Sequence, residues 1–424
     1  MGKLKSFRFI LPRLLQWFCL ILINCSLLFV ILNVFVWGYY KVDELRTKSH
    51  DADKTPLRYK KSNEALEKLF PKLTQHQINE LISDSRRILQ EYDSYTQFKE
   101  APYKTRFVNV DSNGFRHSVN QGPWPPQRND FVIFFFGGST SFGYGVPDHE
   151  TVSSHLQIIL SQQLGIPVKV YNFGRAAYFS SQERILFQKL LVDGHVPDMA
   201  IFMDGVNEFA LYDGEPGYTK QLKKFMQEAD IPLSRKLLSE LPLLKLVNHT
   251  MRPANNSGLG AVLEGADGAP ETEMKLLAGV IRRYQRNRRI IEAISRDFGV
   301  ASVFVWQPMP LYQYDLAHHI FRDFDYGKFT PHLKRGYEFV SSVSDYRENG
   351  HNFIWLADMQ RDADRPLYVS AFHYGPEMSR FVANSIADTL MARNLIPANS
   401  SITPRVLSMS ATQQPETSLA TAER

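Results

Sequence analysis

A series of short apolar runs that alternate with helical patterns constrains the fold more than any other feature. The first run, residues 131–136, is apolar at every position, which is typical of a parallel strand buried on both faces. The predicted strands are residues 131–136, 168–171, 199–203, 301–306 and 353–356, and the predicted helices include 151–164, 180–192, 273–298 and 376–393. Strands that alternate with helices predict an α/β fold with one parallel sheet and right-handed crossovers.

Residues 14–40 form a second constraint because they contain no charged side chain. A helix needs about 20 apolar residues to cross a bilayer, and this run is longer. Lys3, Lys5, Arg8 and Arg13 precede the run, and this positive charge predicts a cytoplasmic N-terminus. The alternative, a cleaved signal peptide, has a shorter apolar region and a small-residue cleavage site, and neither is evident here. We therefore predict an uncleaved transmembrane anchor, held by a lipid bilayer, with the rest of the chain outside the cytoplasm.

Composition excludes several classes of protein. Lysine and arginine exceed aspartate and glutamate by 49 − 44 = 5. Four of those positive charges belong to residues 1–13, so the net charge gives no reason to expect a nucleic-acid partner. The two cysteines, Cys19 and Cys25, both fall in the apolar run, which excludes a disulfide framework and a cysteine-based zinc site. His318-His319 is interpreted as a surface pair, and we predict neither a metal nor an organic cofactor.

The rest of the chain divides by composition. A charged lead-in contains residues 75–95, whose apolar side chains have helical spacing and predict one helix, and Asn113-Gly114, which marks a turn. An insertion at about 212–275 contains a stretch rich in Gly, Ala, Asn and Pro that predicts a mobile loop. The predicted divisions are a basic N-terminus at 1–13, the anchor at 14–40, the lead-in at 41–125, a main domain at 126–395 and a disordered tail at 396–424.

Four candidate site residues lie just after the carboxyl end of a predicted strand or just before the last helix, at the edge where parallel sheets bind ligands. Ser139 follows the first strand in the sequence Gly-Gly-Ser-Thr, and a serine on such a turn can expose its hydroxyl. Gly174 follows the second strand and can offer a backbone N–H, and Asn207 follows the third and can hold an oxyanion with its amide. His373 precedes the last helix and is the usual type of general base. Each residue alone also fits a plain structural role, as a turn glycine, a helix cap or a structural histidine.

Together, the four motifs resemble the SGNH hydrolase superfamily of GDSL-like esterases and lipases. The order is G-G-S-T, then Asn-x-Gly, then Gly-x-Asn-Glu, then a histidine before the last helix. The resemblance implies a flavodoxin-like three-layer α/β/α fold with Ser139 as the nucleophile and His373 as its base. It also implies an oxyanion hole formed by the N–H groups of Ser139 and Gly174 and the side chain of Asn207. Residues 303–308 look like the corresponding segment of membrane-anchored bacterial members.

One position departs from the family pattern. The family usually has an aspartate three residues before the histidine, and this chain has Ser370 there. A serine hydroxyl can hydrogen-bond a ring nitrogen but brings no negative charge to stabilise an imidazolium. Three alternatives follow: the site works as a Ser-His dyad, a carboxylate such as Glu377 or Asp358 substitutes, or activity is much reduced.

The resemblance implies a serine esterase that forms an acyl-serine intermediate. The expected location is the inner membrane, crossed once, with the catalytic domain in the periplasm. The expected substrate is an acyl ester, above all an O-acetyl ester, of a carbohydrate or an envelope polymer. Two alternatives are a polysaccharide O-acyltransferase, in which a sugar hydroxyl accepts the acyl group, and a non-catalytic polysaccharide-binding or assembly protein with a degenerate triad.

Overall fold

The computed structural model describes residues 15–42, 65–127, 129–229, 241–244, 246, 270–343 and 350–397. The predicted basic N-terminus, the mobile loop of the insertion and all but the first two residues of the predicted tail lie outside these ranges. Helix α1, Leu15–Val42, has a mean hydropathy of 2.7 over its most apolar window, and it is long and apolar enough to cross a membrane.

The described part of the lead-in contains a helical segment at residues 65–69, a second helix and two short hairpins. Helix α2 (Gln75–Arg87) is followed by strands β1 (Gln90–Asp93), β2 (Gln97–Glu100), β3 (Tyr103–Lys104) and β4 (Asn109–Val110), and β1 pairs with β2 and β3 with β4. The turn predicted at Asn113-Gly114 is confirmed, because Gly114 has a φ of 82° that favours glycine.

The prediction of a single helix over residues 75–95 is wrong beyond residue 87. Thr74 begins the helix as a reciprocal capping box with Gln77. The chain then turns extended at Ile88 and forms β1. Asp93 at the end of this strand accepts from Arg175 at 2.9 Å and from Lys189 at 2.6 Å. These partners lie far along the chain, so tertiary contacts override the local helical spacing.

A five-stranded parallel sheet forms the centre of the main domain. Its strands are β5 (Phe131–Gly137), β6 (Val168–Asn172), β7 (Met199–Asp204), β8 (Ala301–Trp306) and β9 (Phe353–Trp355). The spatial order is β6-β5-β7-β8-β9, so the strands counted along the chain lie in the order 2-1-3-4-5. That is the flavodoxin-like order, which has its ligand-binding switch point between the first and third strands.

Helices cover both faces of the sheet and complete three layers. The helices described after β5 are α3 (Ser139–Phe142), α4 (Val152–Leu164), α5 (Ser180–Val192), α6 (Val206–Ala210), α7 (Thr219–Ala229), α8 (Pro270–Asp297), α9 (Tyr326–Phe329), α10 (Leu333–Ser342) and α11 (Pro376–Ala392). Of these, α5 and α8 pack on one face of the sheet and α4 and α11 on the other. Two 3₁₀ turns lie at Asp148–Glu150 and Leu316–His318. The predicted α/β class with a flavodoxin-like three-layer arrangement is therefore confirmed.

Strand β5 shows why the apolar runs predict a buried sheet. Phe134 and Phe136 face a cluster shared with α5 and α8, whereas Ile133 and Phe135 face a cluster shared with α4 and α11. Successive side chains of a strand point to opposite faces, so a strand covered on both sides must be apolar throughout. Each of these fully buried side chains stabilises the fold by about 1.5–3 kcal/mol.

In the connection between β8 and β9, the prediction that His319 lies at the surface is wrong. His319 was expected at the surface with His318, but its side chain is buried and stacks on Tyr368 with ring centroids 5.4 Å apart. Its Nδ1 accepts from the backbone N–H of Phe321 at 2.9 Å. Burial lowers the pKa of His319 to about 4, so this histidine is a neutral part of the core.

Candidate active site

The turn after β5 presents Ser139. Gly137 ends the strand with a φ of 149°, and a Cβ on it would lie 1.9 Å from Ser141 Oγ and 2.6 Å from the carbonyl oxygen of Met203. Gly138 caps α3, which begins at Ser139. Since no other residue fits at position 137, the glycines allow the sharp turn that leaves Ser139 partly exposed at the carboxyl edge of the sheet.

Asn207 reaches the same turn from β7. A Cβ on Gly138 would lie 2.2 Å from Asn207 Nδ2, so the amide lies directly against the residue before Ser139. One hydrogen of this amide is donated to the carbonyl oxygen of Tyr178 at 2.6 Å. The second hydrogen has no acceptor within the part of the chain that the structure describes, so it can be donated to a bound oxyanion.

Gly174 packs against the turn but has its N–H engaged. A Cβ on Gly174 would lie 2.4 Å from the backbone nitrogen of Phe142, which excludes any side chain. The N–H of Gly174 donates to Asn172 Oδ1 at 3.0 Å, while Asn172 Nδ2 donates to the carbonyl oxygen of Ser141 at 2.8 Å. Gly174 therefore holds the position that the resemblance implies, but its N–H must exchange partners before it can bind an oxyanion.

His373 lies in the loop before α11, and Ser370 is its partner. The Nδ1 atom of His373 lies 2.6 Å from Ser370 Oγ, and the same oxygen accepts the backbone N–H of His373 at 3.2 Å. A carboxylate only accepts hydrogen bonds and would fix the proton on Nδ1, whereas a hydroxyl can donate or accept. Ser370 therefore orients the ring without fixing the tautomer that leaves Nε2 free to act as a base.

Neither candidate carboxylate replaces the missing aspartate. Glu377 forms a bidentate ion pair with Arg365 at 3.0–3.1 Å. Asp358 pairs with Arg361 at 3.6 Å. Burial lowers the pKa of His373 to about 4, and no neighbouring anion among the described residues counteracts it. The structure thus gives His373 a neutral partner and a weakly basic ring.

Tyr144 connects the serine turn to the histidine loop. Its backbone N–H donates to the carbonyl oxygen of Ser139 at 3.3 Å, and its ring lies 5.7 Å from the ring of His373, centroid to centroid. The next residue, Gly145, packs on Val369, since a Cβ on the glycine would lie 2.6 Å from that side chain. No hydrogen bond joins Ser139 to His373 within the described residues, as is common for catalytic pairs before substrate binds.

Glu100 is a site neighbour that the sequence pattern does not reveal. Its buried carboxylate accepts the N–H of Ala176 at 2.7 Å and the hydroxyl of Tyr144 at 3.2 Å. Burial raises the pKa of Glu100. Glu100 ends β2 of the lead-in, and nothing in the sequence distinguishes this buried residue from acidic residues that lie at the surface. Gln307 was also missed, although its position just after β8 was a signal; it accepts the hydroxyl of Thr140 at 2.6 Å.

Three buried acidic residues, Glu183, Asp204 and Glu208, lie beside the turn that carries Asn207. Glu208 accepts the N–H of Ser180 at 2.7 Å and lies 3.4 Å from Arg283 Nη2, which ties α6 to α5 and α8. Glu183 and Asp204 are buried beside it. Burial, followed by repulsion from Asp204 and Glu208, raises the pKa of Glu183 well above the ordinary range. Burial, followed by repulsion from Glu208, also raises the pKa of Asp204 well above the ordinary range, although a hydrogen bond with Glu183 and the charge of Arg288 act in the opposite direction. Among the described residues, no group of three or more His, Cys, Asp or Glu is arranged to hold a metal ion.

Comparison with known proteins gives similarity only to solved structures. No protein-family model matches the chain, and no curated protein matches it. Fifty-two chains of solved structures are similar to it. One, described as lipolytic and of the G-D-S-L family from Desulfitobacterium hafniense, is 13% identical over 61% of this chain and 99% of its own, with a TM-score of 0.32.

Two other similar structures are esterases. A psychrotrophic esterase from Pseudoalteromonas sp. is 10% identical over 62% of this chain and 98% of its own, with a TM-score of 0.29. A two-domain esterase described as active on acetylated mannans is 12% identical over 62% of this chain and 50% of its own, with a TM-score of 0.31. At these identities and TM-scores the likeness carries no argument about activity.

Proposed function

We propose that the protein is an SGNH-type serine esterase in which Ser139 is the nucleophile and His373 its base. The observation that carries this proposal is the meeting of three chain segments at one edge of the sheet. Gly138-Ser139 lies against the amide of Asn207, and the turn that follows packs on the loop that holds His373. A nucleophile, a base and an oxyanion donor within one pocket are the requirements of acyl transfer.

The reaction follows from these roles. His373 Nε2 accepts the proton of Ser139 Oγ as the oxygen attacks the ester carbonyl, and the carbonyl oxygen becomes an oxyanion. The N–H of Ser139, the free N–H of Asn207 and, after exchange from Asn172, the N–H of Gly174 stabilise that charge. The leaving alcohol takes the proton from His373, and water then hydrolyses the acyl-serine by the same steps in reverse.

Aromatic side chains beside His373 support a carbohydrate ester as the substrate. Phe372 and Phe324 are half-buried, and their ring centroids lie 5.9 Å apart. Tyr326 packs on Phe372 at 5.3 Å and donates its hydroxyl to the carbonyl oxygen of Ala371 at 3.0 Å. Rigid aromatic faces next to the base are suited to a sugar ring or a short acyl group. We therefore propose an O-acetylated carbohydrate or envelope polymer as the substrate.

We also propose that α1 anchors the protein in the inner membrane with the catalytic domain in the periplasm. The length and hydropathy of α1 support a membrane span. The orientation is supported by the four basic residues within positions 1–13. Reporter fusions at the C-terminus test it: a reporter that works only outside the cytoplasm is expected to be active, and activity of a cytoplasm-only reporter contradicts the orientation.

A second candidate function, a non-catalytic polysaccharide-binding protein, is favoured by Ser370. The hydroxyl at this position leaves the tautomer of His373 unfixed, and loss of the correct tautomer costs a serine protease about 10⁴-fold in rate. A site with this defect could hold an acylated polymer without turning it over.

Hydrolysis of p-nitrophenyl acetate by the purified full chain tests the enzyme. Ser139→Ala is expected to lower turnover by at least about 10³-fold, because the nucleophile is lost. Ser141→Ala is the matched control: this serine lies in the same turn, and its buried Oγ has no hydrogen-bond partner among the described residues, so turnover should be retained.

The outcomes separate the candidates. Equal loss in both serine variants, or none in Ser139→Ala, contradicts the proposed nucleophile. No turnover in the parent or in Ser370→Asp, together with polymer binding that Ser139→Ala leaves unchanged, favours the binding protein. Adding a sugar acceptor distinguishes the O-acyltransferase, which would release p-nitrophenol faster and form an acetylated sugar.

A further inference from the structure

One polar residue of α1 is covered, although the helix as a whole is exposed. Asn33 is 9% exposed and Val36 is 8% exposed, whereas the large apolar residues around them are mostly more than half exposed. Asn33 Nδ2 donates to the carbonyl oxygen of Phe29 at 2.8 Å, which is ordinary for an asparagine within a helix. Asn33 Oδ1 accepts the backbone N–H of Leu243, 210 residues along the chain, at 3.1 Å.

Leu243 belongs to the apolar end of the insertion. Residues 241–246 read Leu-Pro-Leu-Leu-Lys-Leu, and residues 242–244 form the start of a helical turn. The first N–H groups of a helix have no partner inside the helix. Pro242 has no N–H to satisfy, so Leu243 carries the first unpaired donor of this turn, and Asn33 satisfies it. Such a donor requires a partner most where water is absent.

Helix α7, in the same insertion, exposes its apolar face. Phe225 is 71% exposed and Met226 is 72% exposed. On the same side, Leu222 lies one turn earlier and is 37% exposed, and Tyr218, just before the helix, lies two turns earlier and is 40% exposed. We call these four residues the docking surface. The helix also carries Lys220, Lys223 and Lys224 against Glu228, a formal charge of 3 − 1 = +2, and Lys223 forms an ion pair with Glu215 just before the helix. A short helix with an apolar face and a lysine-rich polar face is typical of helices that lie in a membrane interface.

We propose that the docking surface lies in the headgroup region of a bilayer that contains anionic phospholipid. Two observations lead to this occupant: the insertion is bonded to α1 at Asn33, and α7 has the charge that anionic headgroups attract. Asn33 lies four residues, about 6 Å along the helix, before Trp37, which places Leu243 near the boundary of the apolar core. The proposal rests on α1 as a membrane span and does not depend on the esterase activity.

The docking surface is connected to the candidate site through the lead-in. Tyr218 donates its hydroxyl to Gln90 Oε1 at 2.5 Å, and Gln97 Nε2 donates to Thr219 Oγ1 at 2.8 Å. Gln90 and Gln97 begin the two strands of the β1-β2 hairpin, and that hairpin ends in Glu100, whose carboxylate accepts the hydroxyl of Tyr144. Docking of α7 would therefore hold the site at a fixed height above the bilayer.

Spin labels on the full chain, reconstituted in phospholipid vesicles, test the proposal. The label is attached to Met226→Cys in a chain with Cys19→Ser and Cys25→Ser, and its collisions with oxygen and with a water-soluble nickel chelate are measured. We expect a several-fold higher oxygen-to-nickel ratio at position 226 than at Val192→Cys, a matched control that is 85% exposed on α5. The ratio should be higher in phosphatidylcholine with phosphatidylglycerol than in phosphatidylcholine alone.

The controls test the docking surface and the membrane span separately. A label on the native Cys25, with Cys19→Ser, reports α1 itself, and an aqueous signal there overturns the span. A high oxygen-to-nickel ratio at Cys25 together with a low ratio at position 226 overturns the docking surface but not the membrane span. Equal ratios at position 226 in the two lipid compositions overturn the role of the lysines. Asn33→Ala should lower the ratio at position 226, whereas Asn24→Ala, on an exposed side of α1, should not; no change in Asn33→Ala overturns the bond's contribution.

Discussion

The two halves of the candidate site are built by different means. The serine half is fixed by backbone packing: Gly138 and Gly174 approach Asn207 and Phe142 so closely that a Cβ would lie 2.2 and 2.4 Å from them. In the histidine half, the ring of His373 is oriented by one neutral hydroxyl, that of Ser370, which can donate to Nδ1 or accept from it. The geometry of the proposed oxyanion hole is thus set by the sheet, whereas the strength of the proposed base is set by a single replaceable side chain.

The largest effect should come from breaking the serine half. Asn207→Ala removes one of the proposed oxyanion donors and is expected to lower kcat by about 10²–10³-fold, or 2.7–4 kcal/mol. Gly138→Ala should have a comparable effect with Asn207 still present, because the new Cβ displaces the amide. Steady-state kinetics of both variants measure this, and thermal denaturation checks their folding.

Gly279→Ala is the matched control for Gly138→Ala. Gly279 lies within α8, and the nearest atom to a Cβ there is 3.9 Å away. Alanine should leave kcat unchanged and stabilise the helix by about 1 kcal/mol. A Gly138→Ala variant that is folded and as active as the parent would exclude Asn207 from the oxyanion hole.

The next effect concerns the pH dependence of the histidine half. A base must be neutral, and burial lowers the pKa of His373 to about 4. kcat/KM should therefore stay level as the pH falls from 7 to 5, and should fall about tenfold per unit only below about 4. A pH-rate profile measures this, and a midpoint near the ordinary histidine value of about 6.5 would contradict the neutral surroundings described for His373.

Ser370→Asp should sharpen the comparison by restoring a charge to the histidine half. A carboxylate beside His373 fixes the proton on Nδ1 and favours the imidazolium, so the pKa of His373 should rise by at least about one unit. We expect kcat to rise about tenfold and the acid limb of the pH-rate profile to move to higher pH. Ser370→Asn, whose side chain has a volume similar to that of aspartate but no charge, should change neither kcat nor the acid limb. An equal rise in kcat in Ser370→Asn would show that packing, and not charge, causes the effect.

The smallest effect is expected at Glu377. Its ion pair with Arg365 is half exposed, and pairs of this kind contribute about 0–1 kcal/mol. Glu377→Gln should lower the free energy of unfolding by no more than that and should leave kcat and its pH dependence unchanged. A shift of the pH-rate profile in this variant would show that Glu377 does influence His373.

The sequence predicts the sheet well because each strand is buried on both faces. The bounds predicted for β8 and α5 agree with the structure, and the other strands of the sheet differ by about one residue. The site residues follow from the strand ends, since Ser139 and Asn207 come after neighbouring parallel strands. Such positions depend on local patterns, which one sequence contains in full.

The remaining features depend on contacts between distant residues or on the placement of single side chains. The β1-β2 hairpin is held by Arg175 and Lys189, more than 80 residues away, so the helical spacing of residues 75–95 was misleading. The engagement of the Gly174 N–H by Asn172 and the bond of Glu100 to Tyr144 are decided by side-chain placement. No periodicity or spacing in the sequence encodes them.

The buried pair Glu183 and Asp204 contributes an uptake of protons to the folding of this domain. The native pair retains protons that the unfolded chain releases above about pH 4. Its contribution to stability is complete in acid and is lost as the pH rises through the raised native pKa values. Paired surface carboxylates give most proteins the opposite behaviour. In a compartment whose pH follows that of the surroundings, this part of the core is therefore more vulnerable to alkali than to acid.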